Sequence, residues 1–251
     1  MSAPLVSVVT AAWNAHEGVQ ATVESVAAQS FAACEHIVVD GASDDGTPAY
    51  LDSLGERVRW ISEPDHGIAD ALNKGVRMAR GEWILVLQAG DTFADETSLS
   101  AVVPALAGDA DIVSGAVMLY GAEASKILEP GSLGPRLEFK TSIPHQGAFC
   151  RRSLFERIGL FDTTIRIAMD YEFFLRARRR GARATQISQT VARMPDDGVS
   201  SQKDWPSLAR RFGEERRIHL AHCPGPLMRL VYALYWPTYL AYRWSLSRMA
   251  T

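Results

Sequence analysis

The sequence has little cysteine, no long uncharged apolar run and no repeated or low-complexity tract. Each shortage narrows what the chain can be. Three cysteines in 251 residues, Cys34, Cys150 and Cys223, are too few and too scattered for a disulfide framework or a zinc-binding spacing. Cys34 and Cys150 sit beside apolar residues and read as small core side chains, which suits a reducing cytoplasm. The opening Met1-Ser2-Ala3-Pro4 has no basic leader before a long apolar segment, so no cleavable secretion signal is expected. Near the C-terminus the longest uncharged stretch, Leu230–Tyr242, has 13 residues and contains Pro237. A bilayer-crossing helix needs ~20 apolar residues. Neither a GxGxxG fingerprint nor a Walker A loop is present.

What charge there is lies unevenly. The net charge is -3, but residues 202–251 carry +5 and residues 1–201 carry -8. A generally basic nucleic-acid binder is therefore excluded, while the basic tail could face an anionic surface.

The first half alternates strand and helix. Leu5–Thr10, Glu35–Asp40, Val58–Ile61 and Trp83–Leu87 read as β-strands; Glu17–Gln29, Thr47–Leu54 and His66–Ala79 read as helices between them. Near-continuous apolar strands separated by crossover helices predict a parallel sheet covered on both faces. The second half is less regular. Asp111–Gly115, Val117–Tyr120 with Lys126–Leu128, Gly147–Cys150 and Arg183–Ile187 are candidate strands. Ser153–Ile158, Met169–Arg179 and Ser207–His219 are candidate helices, and Pro195–Ser201 a loop. The expected fold is α/β, a mixed sheet over residues 1–201 with a donor half to about 115 and an acceptor half from 116. A helical, basic and aromatic extension over 202–251 follows.

Polar residues gather where these strands end. Asp40 opens Asp40-Gly41-Ala42-Ser43-Asp44-Asp45-Gly46-Thr47; Glu63 and Asp65 follow the third strand; Gln88-Ala89-Gly90-Asp91 follows the fourth. Ligands of open α/β sheets bind beyond the carboxyl ends of strands, so these acids could share one crevice. Asp40 could accept hydrogen bonds from a base or ribose, or the segment could be a capped surface turn. Asp70, Asn73, Lys74 and Arg77 group opposite the Ile68, Leu72 and Val76 stripe, as ligands for sugar hydroxyls and phosphates or as a solvated face with an Asp70–Lys74 pair. Asp91 could hold a divalent cation or cap a turn. Asp170 and Glu172 open a helix on different faces: Asp170 as N-cap or proton acceptor, Glu172 as partner of Arg176 or acceptor ligand.

Taken in order, Val6-Ser7-Val8-Val9-Thr10-Ala11-Ala12-Trp13-Asn14, Asp40–Thr47, Asp65–Gly75, Gln88–Asp91, Pro144-His145-Gln146 and Met169–Glu172 resemble family 2 of the glycosyltransferases. The resemblance is greatest to the bacterial polysaccharide-building branch that includes colanic acid enzymes. It implies a Rossmann-like, A-type glycosyltransferase fold and inverting transfer from a nucleotide sugar to a hydroxyl of a glycan or lipid-linked saccharide. Ala11 and Trp13 would line the nucleoside pocket, Asp40 would bind base or ribose, and Asp70, Asn73, Lys74 and Gln88 would lie along the donor. Asp91 would meet a Mg²⁺ or Mn²⁺ diphosphate, Asp170 would be the general base, and His145, Gln146 and Glu172 would face the acceptor. Gln88 and Gly90 depart from the family's acidic metal signature. A noncatalytic nucleotide-sugar sensor is the competing class.

The extension has two readings. Leu227–Trp244, rich in Tyr and Leu with Arg229 and Arg243 near its ends, suits a peripheral contact with the inner face of a membrane, or a helix packed on protein. His219 and His222 read as structural in preference to a zinc pair, and Arg176–Arg180 as a solvated helix end or an anion site.

Overall fold

The computed structural model describes residues 3–121, 124–196, 198 and 204–249, with side chains to 246. Nine strands form one sheet: β1 (Val6–Ala12), β2 (Cys34–Asp40), β3 (Arg59–Ser62), β4 (Trp83–Val86), β5 (Thr92–Phe93), β6 (Ile112–Tyr120), β7 (Ser125–Leu128), β8 (Ala148–Arg151) and β9 (Ala184–Pro195). Their order is β3-β2-β1-β4-β8-β6-β9-β5, with β7 beside β6. β1 to β4 are mutually parallel where they pair; β8 runs antiparallel to β4 and β6.

The parallel core arises where the apolar runs predict it. Every residue of β1 and of β4 is buried. Helices α1 (His16–Ala27), α2 (Thr47–Ser53) and α3 (Ile68–Met78) make the crossovers. Gly75 lets α3 lie close on β1, since a Cβ there would stand 2.4 Å from Val9 Cγ1. The order 3-2-1-4 brings the ends of β1, β2 and β4 side by side, which places the polar segments 13–14, 40–47 and 88–91 along one edge.

Several boundaries differ from the sequence reading. β5 and α4 (Ser98–Leu106) are additional elements. β6 is one strand of nine residues, and β9 extends through Pro195, so the expected loop begins only after it; most of that loop lies outside the described residues. The long β6–β9 pairing supplies the reason: β9 follows β6 in parallel past a bulge between Ser114 and Val117. Helices α5 (Arg152–Ile158) and α6 (Met169–Arg179) follow β8.

The extension is a helical hairpin, α7 (Trp205–Ala221) and α8 (Pro226–Met249). α8 continues as one helix across Pro237, which is exposed, instead of ending there. Leu208, Phe212, Tyr232 and Trp236 form the hairpin's own core, joined by Phe139. Ile218 enters the main core beside α6.

Candidate active site

Two loops form the first wall. Trp13, just past β1, is 70% exposed, while Ala11 is buried within the sheet. Asn14 and Ala42 have φ of 46° and 59°, a left-handed backbone that costs side-chain-bearing residues roughly 1–2 kcal/mol each. Hydrogen bonds between the loops hold it: Asn14 N–H donates to Ser43 Oγ at 2.8 Å and Asp44 N–H donates to Asn14 Oδ1 at 3.0 Å. Asp40 is fully buried beneath them, accepting from Ser43 N–H (3.0 Å), Ser43 Oγ (2.5 Å) and Ser62 Oγ (2.6 Å). Its carboxylate ties the turn after β2 to Ser62 at the end of β3, and Trp13 is exposed on the neighbouring loop. A Cβ at Gly41 would stand 2.5 Å from Asp65 Oδ2 and 3.4 Å from Trp13 Cδ1, so the three residues are close neighbours.

At the start of α3, Asp70 Oδ2 accepts from His66 N–H at 3.1 Å and stands 3.9 Å from Lys74 Nζ. Lys74 is held closer by Glu63 Oε1 and the Pro64 carbonyl, both at 2.8 Å. Asn73 does not join this group. It is 3% exposed, and its amide pairs with both backbone groups of Phe161 at 2.9 Å. The helical-face reading put Asn73 on the polar side; its burial corrects that, and Ile68 from the expected apolar stripe is 38% exposed.

The second wall lies beyond β4. Gln88 is half-buried and Gly90 turns the chain with φ of 101°. Thr22 of α1 braces the turn, its Oγ1 donating to the Asp91 carbonyl at 2.8 Å and accepting from Gly90 N–H at 3.0 Å. Asp91 is 3% exposed and accepts from Gln88 N–H at 2.9 Å. Burial pushes its carboxyl up to about 6, against the pull of His145 and the hydrogen bonds from Gln88 and Gln146. Gln146, nearly buried, also contacts Met194 Sδ at 2.7 Å.

His145 joins this wall to α6. Its Nδ1 is 3.2 Å from Asp170 Oδ2, and its Nε2 is buried with no partner among the described residues. Burial opposes a charged ring, but the Asp170 hydrogen bond and the charges of Asp170 and Asp91 outweigh it, so the imidazole is held above its ordinary range. Asp170 fixes its other oxygen on Tyr171 N–H at 2.8 Å and keeps its side chain 25% exposed. Asp91, His145, Gln146 and Asp170 thus converge, although they come from three separate parts of the chain.

Glu172 points elsewhere. Both its oxygens meet Arg176 at 2.8 Å, and Oε1 is also 2.8 Å from His222 Nε2. Arg176 in turn caps the carbonyls of Ile158, Gly159 and Leu160. Arg178 and Arg179 pair with Glu138, so the basic helix end is largely internal structure. His219 is a hub in the tail. Trp236 Nε1 donates to its Nδ1 at 3.2 Å, its Nε2 lies 2.5 Å from Tyr171 Oη, and Tyr171 donates to the Leu137 carbonyl. Burial drives this imidazole down to about 4, keeping it neutral. Thr22, Ser43 and Ser62 are site-building residues without a sequence signal strong enough to find them, whereas His219 and His222, read from the sequence as structural, make structural contacts.

Among the described residues no three His, Cys, Asp or Glu, the Asp91–His145–Asp170 group included, are placed so that together they could hold a metal ion. With one carboxylate, Asp91, and neutral Gln88 and Gly90, the donor set fits an ion carried chiefly by a substrate's diphosphate, not one caged by protein.

The family described as Glycosyl transferase family 2 matches residues 7–159. A protein of Mycobacterium tuberculosis named as the uncharacterized glycosyltransferase Rv1514c is 37% identical over 227 residues, 88% of this chain and 85% of its own. A Mycobacterium bovis protein named as a PGL/p-HBAD biosynthesis glycosyltransferase is 29% identical, covering 94% and 93%. In fold, the chain is similar to the mannosyltransferase PcManGT of Pyrobaculum calidifontis, solved with GDP-Man and Mn²⁺ (TM-score 0.71, 21% identity, 99% of this chain and 74% of that one). It also resembles TarS of S. aureus, solved with UDP (TM-score 0.66, 16% identity, 86% of this chain), although it spans only 64% of that chain. With the strand order, the convergent acids and these relatives in agreement, the chain belongs to glycosyltransferase family 2 and is a nucleotide-sugar-dependent glycosyltransferase.

Proposed function

We propose that this enzyme transfers a sugar, with inversion, from a nucleotide sugar to a hydroxyl of a glycan or lipid-linked saccharide in surface polysaccharide or glycolipid synthesis. The observation that carries the reading is the partly exposed Asp170 carboxylate, oriented by His145 and Tyr171 N–H beside Asp91. Asp170 takes the proton of the acceptor hydroxyl as its oxygen bonds to the anomeric carbon. The bond from that carbon to the diphosphate breaks, and its electron pair leaves on the phosphate oxygen. His145, held toward its charged form, and Lys74 supply positive charge near the leaving group. Gln146 steadies Asp91. A screen of UDP- and GDP-sugars against saccharide and glycolipid acceptors, with mass and anomeric analysis of products, tests this; a product that keeps the donor's anomeric configuration sinks the inverting mechanism.

Trp13 and the pocket floored by Asp40 take the nucleoside. An exposed aromatic ring at a strand end is a stacking platform, and base–aromatic stacking contributes about 1–3 kcal/mol. Trp13→Ala should weaken UDP or GDP binding roughly tenfold by calorimetry, with the circular dichroism spectrum unchanged. Unaltered affinity for both nucleotides takes Trp13 out of the pocket.

Asp91 would hold a divalent ion arriving with the diphosphate, and Mg²⁺ or Mn²⁺ bound there would supply positive charge to the departing nucleotide. The Mn²⁺ in the PcManGT complex supports this choice. Chelation is expected to suppress transfer and added Mn²⁺ to restore it. Asp91→Asn should raise the Mn²⁺ needed for half-maximal rate about tenfold. Full turnover in stripped protein would leave charge stabilisation to His145 and Lys74.

α8 lies on a lipid surface. Its outer side exposes Leu227 (77%), Leu230 (59%), Leu234 (67%) and Trp244 (46%), an apolar stripe of the kind found at membrane interfaces. Among the described residues no helix is long and apolar enough to cross a membrane. Arg229 is exposed and available to headgroups, whereas Arg243 is turned onto Phe212 and Tyr239; the Arg248 side chain lies outside the described residues. Truncation near Ala221 is a poor test, because it removes Trp236 and Tyr232 from the hairpin core. Leu227→Ser, Leu230→Ser and Leu234→Ser together should abolish flotation with vesicles containing anionic lipid while leaving thermal stability unchanged. Equal flotation of the triple variant discards the lipid contact.

A further inference from the structure

We infer that Glu214, on the C-terminal hairpin, is a positioning residue for the catalytic centre: its buried carboxylate gathers the backbone that leads into α6 and so sets where Asp170 stands. The inference rests on Asp170 being the base. Glu214 is 8% exposed, and its two oxygens accept from three successive backbone donors: Arg166 N–H at 3.1 Å, Ile167 N–H at 2.8 Å and Ala168 N–H at 3.1 Å. The clamped donors belong to the segment that enters α6: residues 166 and 167 precede its N-cap, Ala168, which has no side-chain acceptor of its own. Buried backbone donors left unpaired are costly, and for Ala168 N–H the acceptor is a carboxylate 46 residues further along the chain.

The position of the clamp gives it a catalytic consequence. Asp170 is two residues past Ala168, in the first turn of α6, and its hydrogen bond to His145 is already long at 3.2 Å. A carboxylate that gathers residues 166–168 restrains the helix start at the point from which Asp170 projects. The same helix, α7, contacts the next residues of α6 as well: His219 meets Tyr171, and His222 meets Glu172. Those two contacts tie down the packed side of α6, whereas among the described residues Glu214 supplies the side-chain hydrogen bonds to the backbone at 166–168, ahead of the base. Arg217 Nη2, 3.8 Å from Glu214 Oε1, adds a cation on the outer side of the clamp. The hairpin is thereby part of the active-site framework as well as the owner of the exposed α8 face.

The test uses the full chain in four forms: Glu214→Ala, Glu214→Gln, Asp170→Asn and the Glu214→Ala/Asp170→Asn pair. Nucleoside diphosphate release is followed from UDP-glucose, UDP-N-acetylglucosamine and GDP-mannose with Mn²⁺, using whichever is turned over. Because a shift of about 1 Å at a reacting group can cost on the order of a hundredfold, Glu214→Ala should lower kcat by about 30-fold with donor KM within about twofold of wild type. Glu214→Gln, which keeps an accepting oxygen, should recover to within about fivefold. If Glu214 acts through Asp170, adding Glu214→Ala to Asp170→Asn should slow the enzyme by less than about twofold further. Hydrogen exchange of the 166–172 peptide should also quicken about tenfold or more in Glu214→Ala, while β1 and β4 peptides stay protected. Losses that multiply in the double variant, a donor KM that rises as kcat falls, or unchanged exchange at 166–172 would overturn the inference. Near-normal turnover in Asp170→Asn alone would instead remove the base assignment, and this inference with it. Should Glu214→Ala fail to fold, Glu214→Gln in both backgrounds carries the same cycle, and additive losses there reject the clamp.

Discussion

Asp170→Asn is expected to lower single-turnover sugar transfer by ~10²-fold or more while leaving donor binding within a factor of two, the usual scale for loss of a general base. The substitution is close to isosteric, so the bond from Tyr171 N–H to the retained side-chain oxygen survives. What disappears is the carboxylate that can take a proton, together with the charge that raises the His145 imidazole above its ordinary range. Nucleoside binding should change little, because Trp13, Asp40 and Asp65 stand at the β1, β2 and β3 ends, where Asp40 is bonded to Ser43 and Ser62 and Asp65 neighbours Gly41, away from the His145 side of the diphosphate. Rapid-quench measurement separates chemistry from product release, and calorimetry with UDP or GDP confirms that the donor site is intact. Transfer at near-normal rate would overturn Asp170 as base, leaving a carboxylate whose only evident work is to orient His145.

Glu172→Gln is expected to act on stability, lowering it by about 3–5 kcal/mol, the range for removing one partner of a buried ion pair. Glu172 is 3% exposed and satisfies Arg176 on two nitrogens and His222 on one. Burial opposes its charge, but the His222 hydrogen bond and then Arg176 outweigh that and hold the carboxyl below its ordinary 4.5. The sign follows directly. A depressed carboxyl contributes stability fully above about 4.5, and that contribution is lost as the pH falls through the lower folded value. The wild-type advantage over Glu172→Gln in urea melts should therefore be largest near neutrality and shrink in acid. At roughly 2–4 °C per kcal/mol for a chain of this size, the melting temperature should fall by about 10 °C. Loss of transfer without loss of stability would return Glu172 to the acceptor cleft.

The strands β1 to β4 were legible because parallel strands covered on both faces carry mainly apolar runs, as Trp83–Val86 does throughout and Val6–Ala12 does apart from Ser7 and Thr10. Two-residue β5 carries too few side chains to show a period, and the far part of β9 begins with the polar run Ser188-Gln189-Thr190. α8 was obscured by Pro237, which a helix tolerates on its exposed side. Within the site, motif order was enough to single out Asp91, His145 and Asp170. It was misleading for Asn73, because a helical wheel shows faces and not what packs on them. Phe161, whose backbone occupies Asn73, is 88 residues away. Glu172 had two open readings, and the choice fell to Arg176, one turn along, joined by His222 from a helix that the local pattern does not connect with α6.

By itself the sequence determined the sheet's parallel half, the strand ends at which polar residues collect, and the membership of a family that moves sugars from nucleotides. These follow from local periodicity, from strand length and from the order of short motifs, all of which are properties of neighbouring residues. Only the tertiary structure decided that Asp40 lies beneath its loop, that His145 stands between Asp91 and Asp170, and that Glu214 and His222 of the hairpin bond to the entry and first turn of α6. Those relations join residues tens of positions apart, and nothing in their own surroundings announces them. A buried donor or charge must find a partner somewhere, but which one it finds depends on how the whole chain closes around it.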